Sequence, residues 1–421
     1  YVSGDSMSDE ITKHDYIEVL EVVSNLPPGW DYTTSIYQHL LVIPQPANPR
    51  IIETPLNAGD YIGVFYTNPF GQKICGGAAM WTGDESIAVI AQGDDPFTPF
   101  KDGFSYGEAF EWRFYSYARG RDFVAVAQYD PSLPSDGVFL PMAMSALTDI
   151  YAGVMFELVI PQGWSGVSIP VDPWYPEMDV LFEPVMDNLV MVYNNSGIFW
   201  PENNINTLVN WNVLSGYTIK ALQADTVFIE GYQEKNLSRG LATGWNYLSV
   251  PVNCEKDVVS LFAANVGKLT MIREIAGINM YWPQFSINTL GVVKPGKSYL
   301  VCINQPFNLQ FPICSPASQN PAPASYFSAP VPENPWNIPG FTASVHSIAL
   351  TPHATSQFVD GDVVGVFDAS DACYGLGVFD GQSLAVTAFG DDASTQDKDG
   401  FQENEIIFFK VVRPAEGEFF D

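Results

Sequence analysis

The chain has 421 residues, which exceeds one ordinary domain of about 100–200 residues, so we expect several packed units. Its 18 Lys and Arg against 48 Asp and Glu give a formal charge of -30, which disfavours nucleic acid and anionic lipid as partners because like charges repel. Hydrophobic residues at 47% with only 16% charged residues are typical of folded protein, and no apolar run of about 20 residues predicts membrane insertion.

The composition also favours a secreted protein. Aromatic residues make up 14% of the chain, and it contains 34 Gly and 32 Pro. These proportions are typical of a turn-rich extracellular β protein. The first residue is Tyr and no signal peptide is seen, so we expect a processed chain or a fragment.

Residues 1–28 form an N-terminal segment, and its central part is open between helix and strand. Within it, Tyr16–Val23 alternates apolar and polar residues imperfectly. A first β module follows at residues 29–135. Its runs Tyr61–Phe65 and Ile87–Ala91 are short, rich in β-branched residues and bounded by Gly, Asp or Pro, which predicts strands.

The middle of the chain is an internal duplication, which we assign to inner repeats at 136–235 and 236–314. The segment Gly163–Val171 matches Gly244–Val252 as Gly-Trp, then Ser and Pro-Val at the same spacing. Ile205–Leu208 and Ile287–Leu290 both read Ile-Asn-Thr-Leu. Each repeat is expected to combine strands with a short helical turn.

A Pro-rich linker is predicted at 315–335, and a second copy of the first module at 336–421. Gly59–Phe65 is answered by Gly361–Phe367, so we call 29–135 and 336–421 the outer modules. The second copy lacks the run that corresponds to Phe123–Ala127, so its last strand is expected to be missing. Either the natural chain continues, or a neighbouring subunit supplies the strand, with Tyr16–Val23 as the candidate donor.

These patterns predict a mainly β fold. Tandem β-sandwich-like modules are expected, with two outer copies flanking two β-rich inner repeats that carry short helical turns.

Both outer modules carry an acidic loop of the form Gly-Asp-Asp, Thr, then Asp-Gly-Phe, with a Glu four residues on. Carboxylate and hydroxyl oxygens at this density suit Ca²⁺, which takes six to eight oxygen ligands. The alternative, which stays open, is that Asp and Thr cap backbone amides in turns. The candidate ligands are Asp94, Asp95, Thr98, Asp102 and Glu108 in the first loop and Asp391, Asp392, Thr395, Asp399 and Glu405 in the second.

Several single residues also have predicted structural roles. His39 and His346 recur at matching places and are expected to be hydrogen-bonded structural imidazoles. Cys302 and Cys314 flank a predicted turn, which makes them the candidate disulfide. Cys75 and Cys373 are expected to be buried thiols. Repeated Trp residues are expected in the core, and the candidate binding platforms are the unrepeated Trp81, Trp112, Trp174 and Trp336.

The sequence contains no Gly-x-Ser-x-Gly elbow, no His-Glu-x-x-His and no phosphate-binding Gly-x-x-x-x-Gly-Lys motif. Four His residues leave little for acid–base chemistry, and the acidic residues cluster in duplicated loops. We therefore expect that the protein is not an enzyme.

The Gly-Asp-x-Ile/Val-Gly-Val-Phe motif, the acidic loops and the Gly-Trp, Trp-Pro and Ile-Asn-Thr-Leu repeats together resemble a repeat region of large secreted proteins of Bacteroidota. The resemblance implies export by the type IX secretion system and a C-terminal sorting domain downstream. It also implies Ser6 and Thr226 as O-glycan acceptors, because both stand in Asp-Ser/Thr-apolar triplets. It implies an extracellular or cell-surface location and no catalytic role.

We therefore expect an extracellular structural or adhesive surface protein, stiffened by Ca²⁺ if the acidic loops bind it and able to self-assemble into filaments. Its expected partners are other copies of itself or other surface proteins, and polysaccharide. The alternative is a carbohydrate-binding accessory region of a larger secreted enzyme.

Overall fold

The structure is a computed structural model that describes residues 26–133, 137–314, 336–381 and 384–414 and the backbone of a strand at 418–420. The chain divides into two compact units, Tyr1–Ala152 and Gly153–Asp421. Predictions for residues 1–25 and for the linker at 315–335 lie outside the described residues. The fold is mainly β, as the sequence predicts. No helix in the described ranges is long and apolar enough to cross a membrane.

The first unit is built on one sheet. The strands are β1 (Gln38–Ile43), β2 (Arg50–Ile51), β3 (Thr54–Pro55), β4 (Tyr61–Thr67), β5 (Lys73–Met80), β6 (Ile87–Gln92), β7 (Glu111–Ser116), β8 (Arg121–Tyr129) and β9 (Met144–Ala152), with a 3₁₀ turn at Gln45–Ala47. Their order in the sheet is β3-β2-β9-β8-β7-β4-β5, and β1 pairs with both β6 and β9.

The predicted boundary between the first outer module and the first inner repeat, at residue 135, was wrong. Strand β9 runs antiparallel to β8 and parallel to β1, so its backbone hydrogen bonds belong to the first module. The unit therefore extends to Ala152, and the first inner repeat begins at Gly153. Sequence alternation could not show this, because a strand's partner does not appear in its own pattern.

The first inner repeat contains eight strands among the described residues of the second unit. They are β10 (Val154–Ile160), β11 (Gly163–Val167), β12 (Val171–Pro173), β13 (Leu189–Asn194), β14 (Gly197–Trp200), β15 (Ile205–Asn206), β16 (Tyr217–Ala221) and β17 (Asp225–Gln233), with α1 (Met178–Leu181) and 3₁₀ turns at Glu183–Val185 and Pro201–Asn203.

The second inner repeat follows the same plan. Asp257 caps its helix by accepting a hydrogen bond from the Ser260 amide at 2.8 Å. Its elements are β18 (Ser238–Leu241), β19 (Gly244–Ser249), β20 (Lys256–Asp257), α2 (Val258–Phe262), β21 (Leu269–Glu274), β22 (Met280–Trp282), β23 (Ile287–Asn288), β24 (Val292–Val293), β25 (Ser298–Ile303) and β26 (Phe307–Gln310), with 3₁₀ turns at Ala263–Lys268 and Pro283–Phe285.

The two inner repeats fold alike. Their main sheets have the orders β11-β16-β13-β14-β15 and β19-β25-β21-β22-β23, which match strand for strand. Both carry a register shift in the third strand, at Leu189–Met191 and at Leu269–Met271. Each repeat also has its own apolar core, with Phe182 fully buried in one and Phe262 in the other. The duplication predicted from sequence is therefore a duplication of structure.

The second outer module repeats much of the first unit. Its strands are β27 (Val345–Leu350), β28 (Val363–Phe367), β29 (Cys373–Val378), β30 (Leu384–Phe389), β31 (Phe408–Arg413) and β32 (Glu418–Phe420). Their order in the sheet is β27-β30-β29-β28-β31-β32, and β28 pairs with β31 as β4 pairs with β7. Strand β32 stands where β8 stands in the first unit, so the strand predicted to be missing is present in part.

The modules of the second unit pack closely on one another. The Ser168 amide donates to the carbonyl of Gly296 at 2.9 Å, and the Ser168 hydroxyl receives the Val250 amide at 3.1 Å, which ties the inner repeats together. Met271 and Met280 of the second repeat lie in an apolar cluster with Ala385 of the second outer module. Burial of this surface stabilises the unit as a whole.

Candidate functional site

The acidic loop of the first unit is held by its own carboxylates. Asp94 Oδ1 accepts the Asp102 amide at 2.9 Å, and Asp102 Oδ1 accepts the Asp95 amide at 3.0 Å. The Thr98 hydroxyl donates to the Asp95 carbonyl at 2.9 Å. These bonds cross-link the start and end of the loop, which is the turn chemistry that Asp and Thr provide.

Gly103 allows the loop to close. A Cβ atom at this position would lie 2.4 Å from the carbonyl carbon of Gly93, so a side chain cannot be accommodated without moving the backbone. In the second loop, a Cβ atom at Gly400 would lie 2.2 Å from the carbonyl carbon of Gly390. The Asp-Gly-Phe motif therefore reflects a close backbone contact between the two ends of the loop.

The second loop repeats the network bond for bond. Asp391 Oδ1 accepts the Asp399 amide at 3.0 Å, and Asp399 Oδ1 accepts the Asp392 amide at 2.8 Å. The Thr395 hydroxyl donates to the Asp392 carbonyl at 2.9 Å. Equal spacing in sequence thus gives equal hydrogen bonding in structure.

A lysine neutralises the glutamate of each loop. Lys101 Nζ donates to Glu108 Oε2 at 2.6 Å and to the Thr67 carbonyl at 2.7 Å. Burial raises the pKa of Glu108, but the hydrogen bonds from Lys101 and from the Thr67 and Ser105 amides outweigh this and hold the pKa below its ordinary value.

The second loop has the same arrangement with one further acid. Lys398 Nζ donates to Glu405 Oε1 at 2.7 Å and to Asp368 Oδ2 at 2.6 Å. The hydrogen bond from Lys398, together with those from Ser370, lowers the pKa of Asp368 far below its usual range.

These contacts show that the candidate calcium ligands perform the turn role that was the open alternative. Within the described residues, no group of three or more His, Cys, Asp or Glu side chains is arranged to hold a metal ion. A calcium ion would need carboxylate oxygens that already accept amide or lysine hydrogens. Calcium binding stays a prediction, and its test is given below.

The second loop has a contact that the sequence did not predict. Asp392 is 9% exposed, and its Oδ2 accepts the Trp164 indole N–H at 2.6 Å and Lys220 Nζ at 2.5 Å. Trp164 lies on β11 and Lys220 on the paired strand β16, opposite each other in register. The loop of the outer module is therefore fastened to the sheet of the first inner repeat. We call Asp392, Trp164, Lys220 and Ser394 the junction.

The electrostatics of the junction favour the charged aspartate. Burial raises the pKa of Asp392, but hydrogen bonds from Lys220, Ser394 and Trp164 more than offset this and leave its pKa below the ordinary value. Ser394 contributes its amide at 2.9 Å and its hydroxyl at 2.7 Å to the other carboxylate oxygen. Asp392 is thus satisfied at both oxygens, as a buried charge requires.

A cleft of about 490 Å³ opens beside the junction. Four of its charged groups form two ion pairs, because Lys297 Nζ lies 3.1 Å from Glu274 Oε1 and Lys220 contacts Asp392. The lining includes Trp164, Lys220, Glu274, Asn279, Lys297, Asp392 and Asp399. The Lys220–Asp392 pair joins the first inner repeat to the second outer module, whereas Lys297 and Glu274 both belong to the second inner repeat.

The imidazole of His39 is structural, as expected. It is fully buried, with Nε2 at 2.9 Å from the Ser145 hydroxyl and Nδ1 accepting the Leu140 amide at 3.1 Å. Burial lowers the pKa of His39, which favours the neutral ring. Its counterpart His346 is exposed, which the sequence did not predict.

The predicted disulfide was wrong. Cys314 pairs with Cys254, whose Cα lies 5.9 Å away, and Cys302 is a free thiol. Cys254 and Cys314 belong to the core of the second inner repeat, whereas Cys302 packs with Met271 on the opposite face of the sheet. A turn between two cysteines says nothing about which face each one occupies.

The buried thiols agree with expectation. Cys75 and Cys373 are both buried, and burial raises the pKa of Cys75 to about 12. Such a thiol is unreactive at neutral pH.

The tryptophans proposed as binding platforms are not on the surface. Trp81, Trp112 and Trp174 are 3%, 2% and 8% exposed, and Trp336 packs against Phe367 with ring centroids 5.3 Å apart. Trp81, Trp112 and Trp174 fill core positions, where a large ring contributes most to stability, and Trp336 is half-buried against an apolar cluster. Lack of a repeat partner therefore did not indicate a binding role.

The sequence reasoning missed four exposed aromatic residues in loops of the first unit. Phe97 and Phe100 of the acidic loop are 88% and 68% exposed. Phe70, in the turn between β4 and β5, is 87% exposed, and Tyr106, just after the acidic loop, is 80% exposed. The positions of Phe97 and Phe100 are Ser394 and Asp397 in the second copy, so a comparison of the two copies at these positions would have found them.

Of the two predicted glycosylation sites, the structure describes Thr226. Ser6 lies outside the described residues. Thr226 is half-buried at the start of β17, and its amide donates to Asp225 Oδ1 at 2.8 Å. O-glycosylation stays a prediction.

Comparisons with known proteins do not assign this chain to a family. The chain matches no protein-family model, and no curated protein matches it. Among solved structures, the T6 backbone pilin of serotype M6 Streptococcus pyogenes is similar over 91% of this chain and 81% of that chain, at 6% identity and a TM-score of 0.16. That pilin is described as a modular three-domain structure decorated with variable loops and extensions. A TM-score of 0.16 is too low for this likeness to indicate a shared function.

Proposed function

We propose that the protein is an extracellular structural or adhesive protein whose β modules are fastened to one another and which catalyses no reaction. The observation that carries the proposal is the junction, in which the acidic loop of one module gives its buried carboxylate to a lysine and a tryptophan of another. A contact of this kind resists separation of the modules, which a protein under mechanical tension requires.

The state of the acidic side chains supports this role over catalysis. The loop carboxylates accept hydrogen bonds from amides and lysines, so they hold the backbone. Both loops do this in the same way. A catalytic pair of carboxylates would instead be expected to differ in environment, so that one is an acid and the other a base.

The disulfide supports the extracellular part of the proposal. Cys254 and Cys314 are bonded, and structural disulfides are typical of proteins that fold in oxidising compartments. The net charge of -30 is consistent with a soluble surface exposed to salt. Export by the type IX system, implied by the resemblance above, remains part of the proposal.

The exposed aromatic residues of the first unit support an adhesive contribution. Four rings that are each more than two-thirds exposed are unusual on a soluble surface and are the residue types that dominate interfaces. The carbohydrate-binding alternative draws on the same residues, because aromatic rings stack on sugars. Glycan-array binding that is lost in Phe97→Ser with Phe100→Asp would favour that alternative, and a wild-type protein that binds no glycan would remove it.

The proposal is tested by imaging native material by electron microscopy with antibodies against the second unit. We expect label on filaments or layers outside the cell envelope. Label on dispersed particles inside the cell, with turnover of a substrate by the purified protein, would contradict it.

A further inference from the structure

One outward side of the sheet in the first unit carries a row of exposed apolar side chains. Strand β1 lies between β6 and β9, and Leu40 pairs in register with Ile90 on one side and with Met144 on the other. These three residues alternate with buried neighbours and are 37%, 43% and 45% exposed. Because neighbouring strands lie about 4.8 Å apart, the three side chains form one continuous row across the sheet.

A second apolar row lies beside the first. Val42 pairs with Ala88 on β6 and with Ala146 on β9, and its place two residues after Leu40 puts it on the same outward side. We call the six residues of the two rows the apolar face: Leu40, Val42, Ala88, Ile90, Met144 and Ala146. None of the six is charged, although the chain has a formal charge of -30.

Exposed apolar residues on strands β10 and β17 have a different setting. Met155 is 49% exposed and pairs with Glu230, and Phe228 is 60% exposed and pairs with Glu157. Carboxylates beside apolar side chains keep copies of an acidic protein apart, because like charges repel. The apolar face lacks such carboxylates within its two rows, and an uncharged apolar surface of this kind marks a site of association.

The corresponding face is covered in the second outer module. Strands β27 and β30 pair in the register of β1 and β6, which places Ala349 and Ala385 at the positions of Val42 and Ala88. Both alanines pack against the sheet of the second inner repeat, in a cluster with Met271, Met280 and Ile287. The outer module therefore already uses this face for packing of one sheet on another.

The uncovered copy of the face carries the larger apolar side chains. Ser347 and Thr387 of the second outer module stand where the first unit has Leu40 and Ile90. Thr387 is 1% exposed, whereas Ile90 is 43% exposed. A sheet face that met only water would be expected to carry the polar residues, and a covered face the apolar ones. The observed order is the reverse, so the leucine and isoleucine serve a contact that the first unit makes.

The apolar face has the chemistry of its own expected cover. In the second outer module, methionine and isoleucine side chains cover the face. The apolar face presents the same two residue types outward, as Met144 and Ile90. A second copy also brings no charge into the contact from these two rows, whereas a carboxylate placed against apolar side chains would lose its hydration.

We infer that the protein forms a two-fold dimer in which the apolar faces of two copies pack against each other. In such an isologous contact the same patch serves both subunits, so the contact closes at two copies. Leu40 lies in the middle strand, between Ile90 and Met144, and its side chains from the two copies meet near the two-fold axis. The inference names a partner for the proposed structural function and rests on it.

Sedimentation velocity of the full chain measures the dimer. We expect the wild-type protein to change from monomer to dimer as its concentration rises. Leu40→Ser with Ile90→Thr installs the residues of the second outer module and should weaken dimerisation by about a hundredfold, because each copy loses two apolar side chains from the contact. The matched control, Met155→Thr with Phe228→Ser, removes exposed apolar side chains that stand beside carboxylates and should dimerise like wild type.

Two results of this experiment would overturn the inference. One is a wild-type chain that sediments as a monomer at every concentration, which would mean that another part of the chain or another protein covers the face. The other is equal weakening in the variant and in the control. Thermal unfolding of both variants is expected to match that of wild type, which shows that they are folded.

Cross-linking tests the two-fold geometry without removing the apolar contact. Leu40→Cys should give a disulfide-linked dimer on a non-reducing gel, and Phe228→Cys should not. Absence of the Leu40→Cys dimer, or equal cross-linking of both variants, would overturn the inference. A monomeric wild type whose second unit still loses stability in Asp392→Ala would reject the dimer and leave the proposed structural function standing.

Discussion

The acidic loops at 93–104 and 390–401 share their backbone hydrogen bonds and differ in what they face. In both, two aspartates bind amides across the loop and a lysine neutralises the glutamate. In the second loop, Asp392 also binds Trp164 and Lys220 of another module. The first loop presents Phe97 and Phe100 to solvent instead. A duplicated scaffold can thus fasten modules in one copy and display a surface in the other by changing a few side chains.

The largest expected effect on stability comes from removing Asp392. Asp392→Ala should lower the free energy of unfolding of the second unit by about 3 kcal/mol, because it removes a buried ion pair and leaves the Lys220 ammonium without its carboxylate partner. The matched change Asp95→Ala removes a bond to the Phe97 amide and should cost about 1 kcal/mol. Denaturant unfolding measures both. Equal losses would show that the junction adds no stability.

The lysines test what the loops share. Lys101→Met and Lys398→Met should each lower the stability of their own unit by about 1 kcal/mol, because each lysine side chain is still partly exposed and water screens the ion pair. Hydrogen exchange of the loop amides in each variant reports the effect locally. A loss several times larger in one copy than in the other would contradict the equivalence of the two networks.

Acid should weaken the junction. The pKa of Asp392 is lower in the folded protein than in the unfolded chain, so the stability it contributes is present above about pH 4 and is lost as pH falls through the folded value. The difference in melting temperature between wild type and Asp392→Asn should therefore shrink on going from pH 6 towards pH 2. A difference that stays constant over this range would mean that the charge on Asp392 does not stabilise the junction.

Calcium should have the smallest effect. Because the loop oxygens already accept hydrogen bonds, we expect Ca²⁺ to bind no tighter than about millimolar, the range of weak extracellular sites. Calorimetry on wild type, Asp102→Ala and Asp399→Ala measures this. Micromolar binding that is lost in both variants would restore calcium as a structural component of the loops.

The sequence was sufficient for the features that depend on local pattern. The strands at 61–67 and 87–92, the short helical turn of each inner repeat and both duplications follow from alternation, turn residues and repeated motifs. The acidic loops were found for the same reason, since their spacing is identical in both copies.

Features that depend on long-range contact could not be predicted. The partner of β9, the Cys254–Cys314 bond and the junction join residues that lie 60 or more positions apart or in different modules. Periodicity gives the face of a strand but not what packs against it. Asp392 and Asp95 occupy the same place in one motif, so only the structure distinguishes the buried aspartate from its half-buried counterpart.

The most direct test of the account is native-state hydrogen exchange of the full chain, comparing wild type with Asp392→Ala. If the modules of the second unit are fastened as proposed, amides of β16 in the first inner repeat and of β30 in the second outer module should open with the same free energy in wild type and with different free energies in the variant. Different opening free energies in the wild-type protein itself would contradict the account.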